Sequence, residues 1–156
     1  WLTEFAVKRK IVAKSFFGEE AGAGDEGEFR KIMNSIRDGF DSEKIWDEQH
    51  LEDQLIIHLK AKFENMSIER QQPAPLGGRV DILIEGKYVL ELKVPRSRDD
   101  LRNLSAQLEE YKEDFPYVCA VIADTQNVDE GEIKAYVNRY KSKYNVPSIV
   151  KDVKKR

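Results

Sequence analysis

The sequence predicts a mixed α/β domain, a central sheet flanked by helices with a helical extension ahead of it. Three observations carry that reading. Two β-rich runs, Arg79 to Ile84 and Tyr88 to Val94, are joined by Glu85-Gly86-Lys87, the pattern of a hairpin. Tyr117 to Ala123 is an unbroken apolar run, as expected of a strand buried on both faces. The segments around these runs carry apolar residues at three- and four-residue spacing, the helical period. The resulting order is helix, three strands, helix, strand, helix, strand. Consecutive strands followed by helical crossovers make a mixed sheet with helices on its faces.

Taken in order, residues 1 to 14 mix Leu2, Phe5, Val7, Ile11 and Val12 with basic residues and predict a short helix. Residues 15 to 27 hold four glycines and four acids without a helical period and predict a loop or linker. From Asp25 the pattern changes: Phe29, Ile32, Met33, Ile36 and Phe40 recur at helical spacing, with Gly39 near the end. Asp41 or Ser42 would cap the next helix, which runs to about Phe63 on Ile45, Trp46, Leu51, Leu55, Ile56, Leu59 and Phe63. Trp46 is expected to anchor the core. Residues 1–41 thus form an N-terminal extension and 42–156 the main domain.

Ser67 to Gln71 predicts a short first strand, and Gln72 to Gly78 a breaker rich in Pro and Gly. The hairpin follows, and Pro95 ends its second strand. Asp99 or Asp100 would cap a helix carrying Leu101, Leu104, Leu108, Tyr111 and Phe115. After the buried strand, Asp129 to Tyr144 is a helix with Ile133, Tyr136, Val137 and Tyr140 on one side. Pro147 to Val153 predicts a last strand, and the basic end from Lys151 to Arg156 is expected to fray.

Composition narrows the function classes. Lys and Arg number 26 against 29 Asp and Glu, for a net charge of −3, which excludes a strongly basic nucleic-acid coat but not local basic patches. One cysteine forbids an intrachain disulfide, and one Cys with two His cannot build a zinc site of four such ligands. No apolar run approaches the ~20 residues of a membrane span, and no signal peptide is visible. A reducing, cytoplasmic setting is expected. The chain begins at Trp1 rather than Met, as a piece of a longer protein would.

The chemistry is concentrated in the hairpin. Strand side chains alternate, so Glu91 and Lys93 share one face while Leu90, Leu92 and Val94 take the other. Two charges inside an otherwise apolar strand are costly unless paired or bound to a metal. Asp81 repeats the anomaly on the preceding strand. A three-residue loop at Glu85 to Lys87 would set Asp81 opposite Glu91; a two-residue loop would place them on opposite faces. Two carboxylates beside a lysine make a hard-oxygen site suited to Mg²⁺ or Mn²⁺. A bound divalent cation lowers the pKa of its water and stabilises a leaving oxygen, and Lys93 can orient a water or offset phosphate charge. Phosphodiester hydrolysis is the natural reaction. Glu-x-Lys also occurs at Glu85, Glu110 and Glu132, but only Glu91 lies inside an apolar strand with an Asp on the strand before it.

With Asp81 followed by Glu91-Leu92-Lys93, the chain resembles the PD-(D/E)xK, or restriction-endonuclease-like, nuclease superfamily. Its αβββαβ core would match about Ser42 to Ala123, and Val80 stands where the family usually has Pro before the acid. Gln107 and Tyr111, as Gln-x-x-x-Tyr on the helix after the signature, resemble the RecB-like and Cas4-like branch. The resemblance implies a metal-dependent nuclease. Asp81, Glu91 and the Leu92 backbone carbonyl would hold Mg²⁺ or Mn²⁺, with Lys93 activating water or stabilising phosphoryl charge. Glu52 on the first core helix would complete the shell of that metal or serve a second one, Glu48 being its rival. Gln107 would position substrate or Lys93. DNA is favoured over RNA by family frequency.

Other residues have two readings. Tyr111 either packs in the core, continuing the Leu104 and Leu108 stripe, or touches substrate. Arg79, Arg96, Arg98 and Arg102 flank the hairpin strands and suit phosphate contacts or a solvated surface. His50 and His58 read as ordinary helix residues, and Cys119 as a small buried hydrophobe. Two rivals stand beside the nuclease: a nuclease-like scaffold that binds nucleic acid or protein without cutting, and a ligand-regulated effector domain of a larger defence or repair protein. The negative charge implies weak, salt-sensitive binding by this domain alone, with a second copy or further domains adding affinity.

Overall fold

In a computed structural model, residues 24–42 and 44–153 are described. The expected helix over residues 1 to 14, most of the loop that follows it and residues 154–156 lie outside the described residues; of the basic end expected to fray, Lys151 and Asp152 belong to the last strand instead. The chain divides into two compact units, one ending at Asn34 and the other beginning at Ser35. The boundary falls within helix α1 (Asp25–Gly39). Asp25, Glu26 and Glu28 sit in its first turn, where acids complement the helix dipole. Asp25, Glu26 and Gly27, expected as the end of a loop, are helical.

The second unit holds α2 (Glu48–Lys62), β1 (Ile68–Pro73), β2 (Arg79–Ile84), β3 (Tyr88–Lys93), α3 (Arg98–Asp114), β4 (Tyr117–Asp124), α4 (Glu130–Tyr144) and β5 (Ser148–Asp152). The sheet order is β1-β2-β3-β4-β5. β1–β2 and β2–β3 are antiparallel, whereas β3–β4 and β4–β5 are parallel and are linked by α3 and α4. The α/β class and the mixed sheet expected from the sequence are both present. No helix among the described residues is long and apolar enough to cross a membrane.

Several boundaries move for identifiable reasons. α2 starts at Asp47, whose side chain accepts the His50 amide at 2.8 Å, so neither Asp41 nor Ser42 caps it. The Ser42 hydroxyl donates instead to the Asp152 carbonyl at 2.9 Å. Trp46 therefore precedes the helix and falls off its buried stripe. It is 55% exposed and stacks on His50 with ring centroids 3.8 Å apart; Ile45 is the buried neighbour. Trp46 is not a core anchor. β1 runs past Gln71 because Gln72 and Pro73 pair with Val80 and Arg79. A proline is tolerated there, as β1 is an edge strand. α3 starts after Ser97, not at the acids, and Asp100 reaches back to accept the Arg96 amide at 2.7 Å.

β4 is buried from Val118 to Asp124, as an apolar central strand should be. Val89, Ala120 and Ile122 pack with Leu101, Leu104 and Leu108 of α3 and Ile133 and Tyr140 of α4 in one core. Val89, Glu91 and Lys93 pair with Val118, Ala120 and Ile122 on β4, and neighbours in register share a face. Glu91 and Lys93 therefore belong to the α3 and α4 side of the sheet, at the end of β3 beyond the apolar residues.

Candidate active site

The β2–β3 hairpin closes through Glu85, Gly86 and Lys87, with Ile84 paired to Tyr88. Glu85 and Gly86 take φ of +55° and +68°, and the Lys87 amide donates to the Ile84 carbonyl at 3.1 Å. This three-residue loop sets the register in which Asp81 lies across from Glu91. Backbone pairing continues to Ile82 and Leu90. At the next position the carboxylates take it over. The Asp81 amide donates to Glu91 Oε1 at 3.2 Å, and the Leu92 amide donates to Asp81 Oδ2 at 2.8 Å.

Burial makes this pair electrostatically tense. Glu91 is 2% exposed. Its carboxyl is pushed up to about 9, first by burial and then by the nearby Asp81 charge. Burial likewise raises Asp81, while the hydrogen bonds from Leu92 and Gln71 act in the other direction. A buried carboxyl beside a half-buried one, resisting joint ionisation, is the arrangement a divalent cation relieves.

α2 brings two further acids, and they have different partners. Glu48 Oε2 accepts the Val94 amide at 3.0 Å and lies 3.9 Å from Lys93 Nζ. Glu52 is 5% exposed. Its Oε2 accepts Arg70 Nε and its Oε1 accepts Gln71 Nε2, both at 2.7 Å. Gln71 Nε2 also donates to Asp81 Oδ1 at 3.2 Å. Arg70 and Gln71 were not among the residues expected from the sequence. Their only sequence signal is polarity within a short strand.

From α3, Tyr111 is buried and its hydroxyl donates to the Arg79 carbonyl at 2.7 Å, two residues before Asp81. Burial first, then the charges of Glu91 and Asp81, push its phenol up to about 12. Gln107 lies one turn earlier on the same helix face. Its Oε1 is buried and has no hydrogen-bond partner among the described residues.

The arginines separate. Arg79 Nη1 donates to the Gln71 carbonyl at 3.0 Å, Arg98 pairs with Glu132 at 2.5 Å and Arg102 with Asp99 at 3.0 Å. Arg96 is exposed, and its guanidinium makes no ion pair among the described residues. His50 and His58 both lie on α2, as expected of helix residues, and His58 bonds the Ser35 hydroxyl at 2.8 Å. Cys119 is fully buried, and burial raises its thiol to about 12, so it behaves as a small hydrophobe.

Among the described residues no group of three or more His, Cys, Asp or Glu side chains is arranged to hold a metal ion. The donors still fit magnesium chemistry. Mg²⁺ is bound through one or two carboxylates and fills its octahedron with water and substrate oxygens. Asp81 and Glu91 would be that pair. No protein-family model matches the chain, and no curated protein matches it significantly.

Proposed function

We propose that the chain is a metal-dependent nuclease of the PD-(D/E)xK type that hydrolyses phosphodiester bonds, with DNA the favoured substrate. The observation that carries this reading is the cross-linked pair of half-buried Asp81 and buried Glu91, at the parting ends of two antiparallel strands with Lys93 next along. The element order α2-β1-β2-β3-α3-β4 supports it, since it is the αβββαβ sequence of that superfamily. Asp81 and Glu91, with the Leu92 carbonyl, would hold Mg²⁺ or Mn²⁺. Such an ion supplies an activated water and offsets charge on the leaving oxygen. Lys93 presents an ammonium where the phosphoryl oxygens gather charge, and Glu48 restrains it. Arg96, exposed and without an ion pair among the described residues, would meet a neighbouring phosphate.

A cleft of about 560 Å³ is bordered by Asp124, Asp129, Glu130 and Asp152. Its carboxylates repel polyphosphate, so this cleft is not the substrate path in this reading. The setting is cytoplasmic in this reading, and a second copy or a further domain adds affinity.

Labelled single- and double-stranded DNA and RNA, incubated with Mg²⁺, Mn²⁺ or EDTA, test the proposal. Cleavage is expected with metal and is expected to vanish in Asp81→Ala and Lys93→Ala. Cleavage that persists in EDTA or in both variants rules the mechanism out. That no three His, Cys, Asp or Glu side chains are gathered to hold a metal among the described residues favours one second reading, a nuclease-like scaffold that binds without cutting. That scaffold would bind no Mn²⁺ in a titration of the wild-type chain.

A further inference from the structure

We propose that Gln71 is a positioning residue, which orients Asp81 for the divalent cation by linking it to the anchored Glu52. The role rests on the nuclease reading above.

Gln71 stands opposite Asp81: Arg70 pairs with Ile82 and Gln72 with Val80, on either side of it. Its own backbone leaves the strand conformation, with φ at +51°. A non-glycine residue rarely adopts that region, and inside a strand it breaks the alternation of side chains. No turn requires it, because β1 continues to Pro73. What accompanies the distortion is a set of contacts. The Gln71 carbonyl accepts from Arg79 at 3.0 Å, and its side-chain nitrogen donates to Glu52 Oε1 at 2.7 Å and Asp81 Oδ1 at 3.2 Å.

The chemistry of that nitrogen suits the position. A carboxamide has two N–H donors and no charge. It joins two carboxylates without neutralising either, whereas a lysine or arginine there would compete with a metal ion. Glu52 is fixed from behind by Arg70, which also pairs with Asp53. Asp81 is then held at both oxygens, Oδ1 by Gln71 and Oδ2 by the Leu92 amide. Each oxygen keeps lone-pair capacity for a cation. Hydrogen bonds of this outer kind orient metal ligands, and their loss typically weakens metal affinity by about 10–100-fold. Glu52 accordingly acts through Gln71 on Asp81, beyond any direct contact it makes with metal.

The test is calorimetric titration of Mn²⁺ into the full 156-residue chain, paired with thermal melts in EDTA. Gln71→Gly accepts the left-handed backbone without strain and removes the carboxamide. Its melting temperature is expected to equal or exceed that of wild type, while its Mn²⁺ affinity falls by about 10–100-fold. Gln71→Met keeps the backbone demand and side-chain length and removes the donors; the same loss is expected. If the glycine variant does not fold, the methionine variant decides. Affinity in the folded variants equal to or tighter than wild type overturns the role while leaving the nuclease reading in place. A wild-type chain that binds no Mn²⁺ overturns both.

Discussion

Glu91 is the residue on which the site's electrostatics turn. Its carboxyl is held protonated in the folded chain up to about 9, against 4.5 for an ordinary glutamate. The folded state therefore binds a proton that the unfolded state releases. Its contribution to metal-free stability is whole below about 4.5 and is lost as pH rises towards about 9. Glu91→Gln keeps the shape and cannot ionise. Denaturant unfolding in EDTA across this window should show wild-type stability falling as pH rises, with a flatter profile for the variant. Parallel profiles would show that Glu91 ionises normally. Metal reverses the sense, because a liganding carboxylate must be ionised, so Mn²⁺ affinity should grow with pH over the same window. Tyr111→Phe isolates a smaller effect. It removes the hydrogen bond to the Arg79 carbonyl and should cost about 1 kcal/mol in a urea titration. Asp81, Glu91 and Lys93 were legible in the sequence because charge inside an apolar strand has few explanations. Gln71 was not. A positive φ at a non-glycine residue leaves no trace in residue type, and the reach of its carboxamide depends on that backbone.

At the scale of elements, α2 positions the acidic wall of the site, and its start decides which carboxylate goes where. Asp47 caps the helix through the His50 amide. Glu48 then lies in the first turn, close enough to meet the Val94 amide and Lys93, and Glu52 lies one turn on, opposite Arg70 and Gln71. Asp47→Ala should cost about 1 kcal/mol of stability in a chemical denaturation series, the usual range for a lost cap being about 0.5–2 kcal/mol. Fraying of the first turn would also loosen Glu48 from Lys93. A stability unchanged in this variant would mean that water caps the helix equally well. Helical spacing alone could not separate Glu48 from Glu52, since residues four apart share a face; the partners on β1 and β3 do so. The misplaced helix start had a similar origin. Ile45 and Trp46 continue the apolar period backwards, and only the Asp47 cap shows that the helix had not yet begun. The hairpin was read more securely, because its register follows from loop length and the alternation of side chains.

For the molecule as a whole, the decisive quantity is how the cations around the candidate site are committed. The net charge is −3. Arg98 and Arg102 are ion-paired, and Arg79 is bonded to the backbone. Lys93 stands beside Asp81 and Glu91 with Glu48 as its partner, Arg96 follows it three residues on without an ion pair among the described residues, and Arg79 can join them by exchanging its carbonyl partner for a phosphate. About three phosphate contacts would give a log–log salt slope of roughly −2.7 on duplex DNA, a loss of about 40-fold between about 50 and 200 mM salt. Binding should be measured with Asp81→Asn in Mg²⁺, so that cleavage does not intrude, by anisotropy on a labelled duplex over a salt series. Arg96→Ala should reduce the slope by about 0.9, the share of one phosphate. It should weaken all sequences alike, because a guanidinium on a phosphate reads no base. An affinity indifferent to salt, or a slope untouched by Arg96→Ala, would place the nucleic acid on another surface and detach it from the Asp81–Glu91 pair.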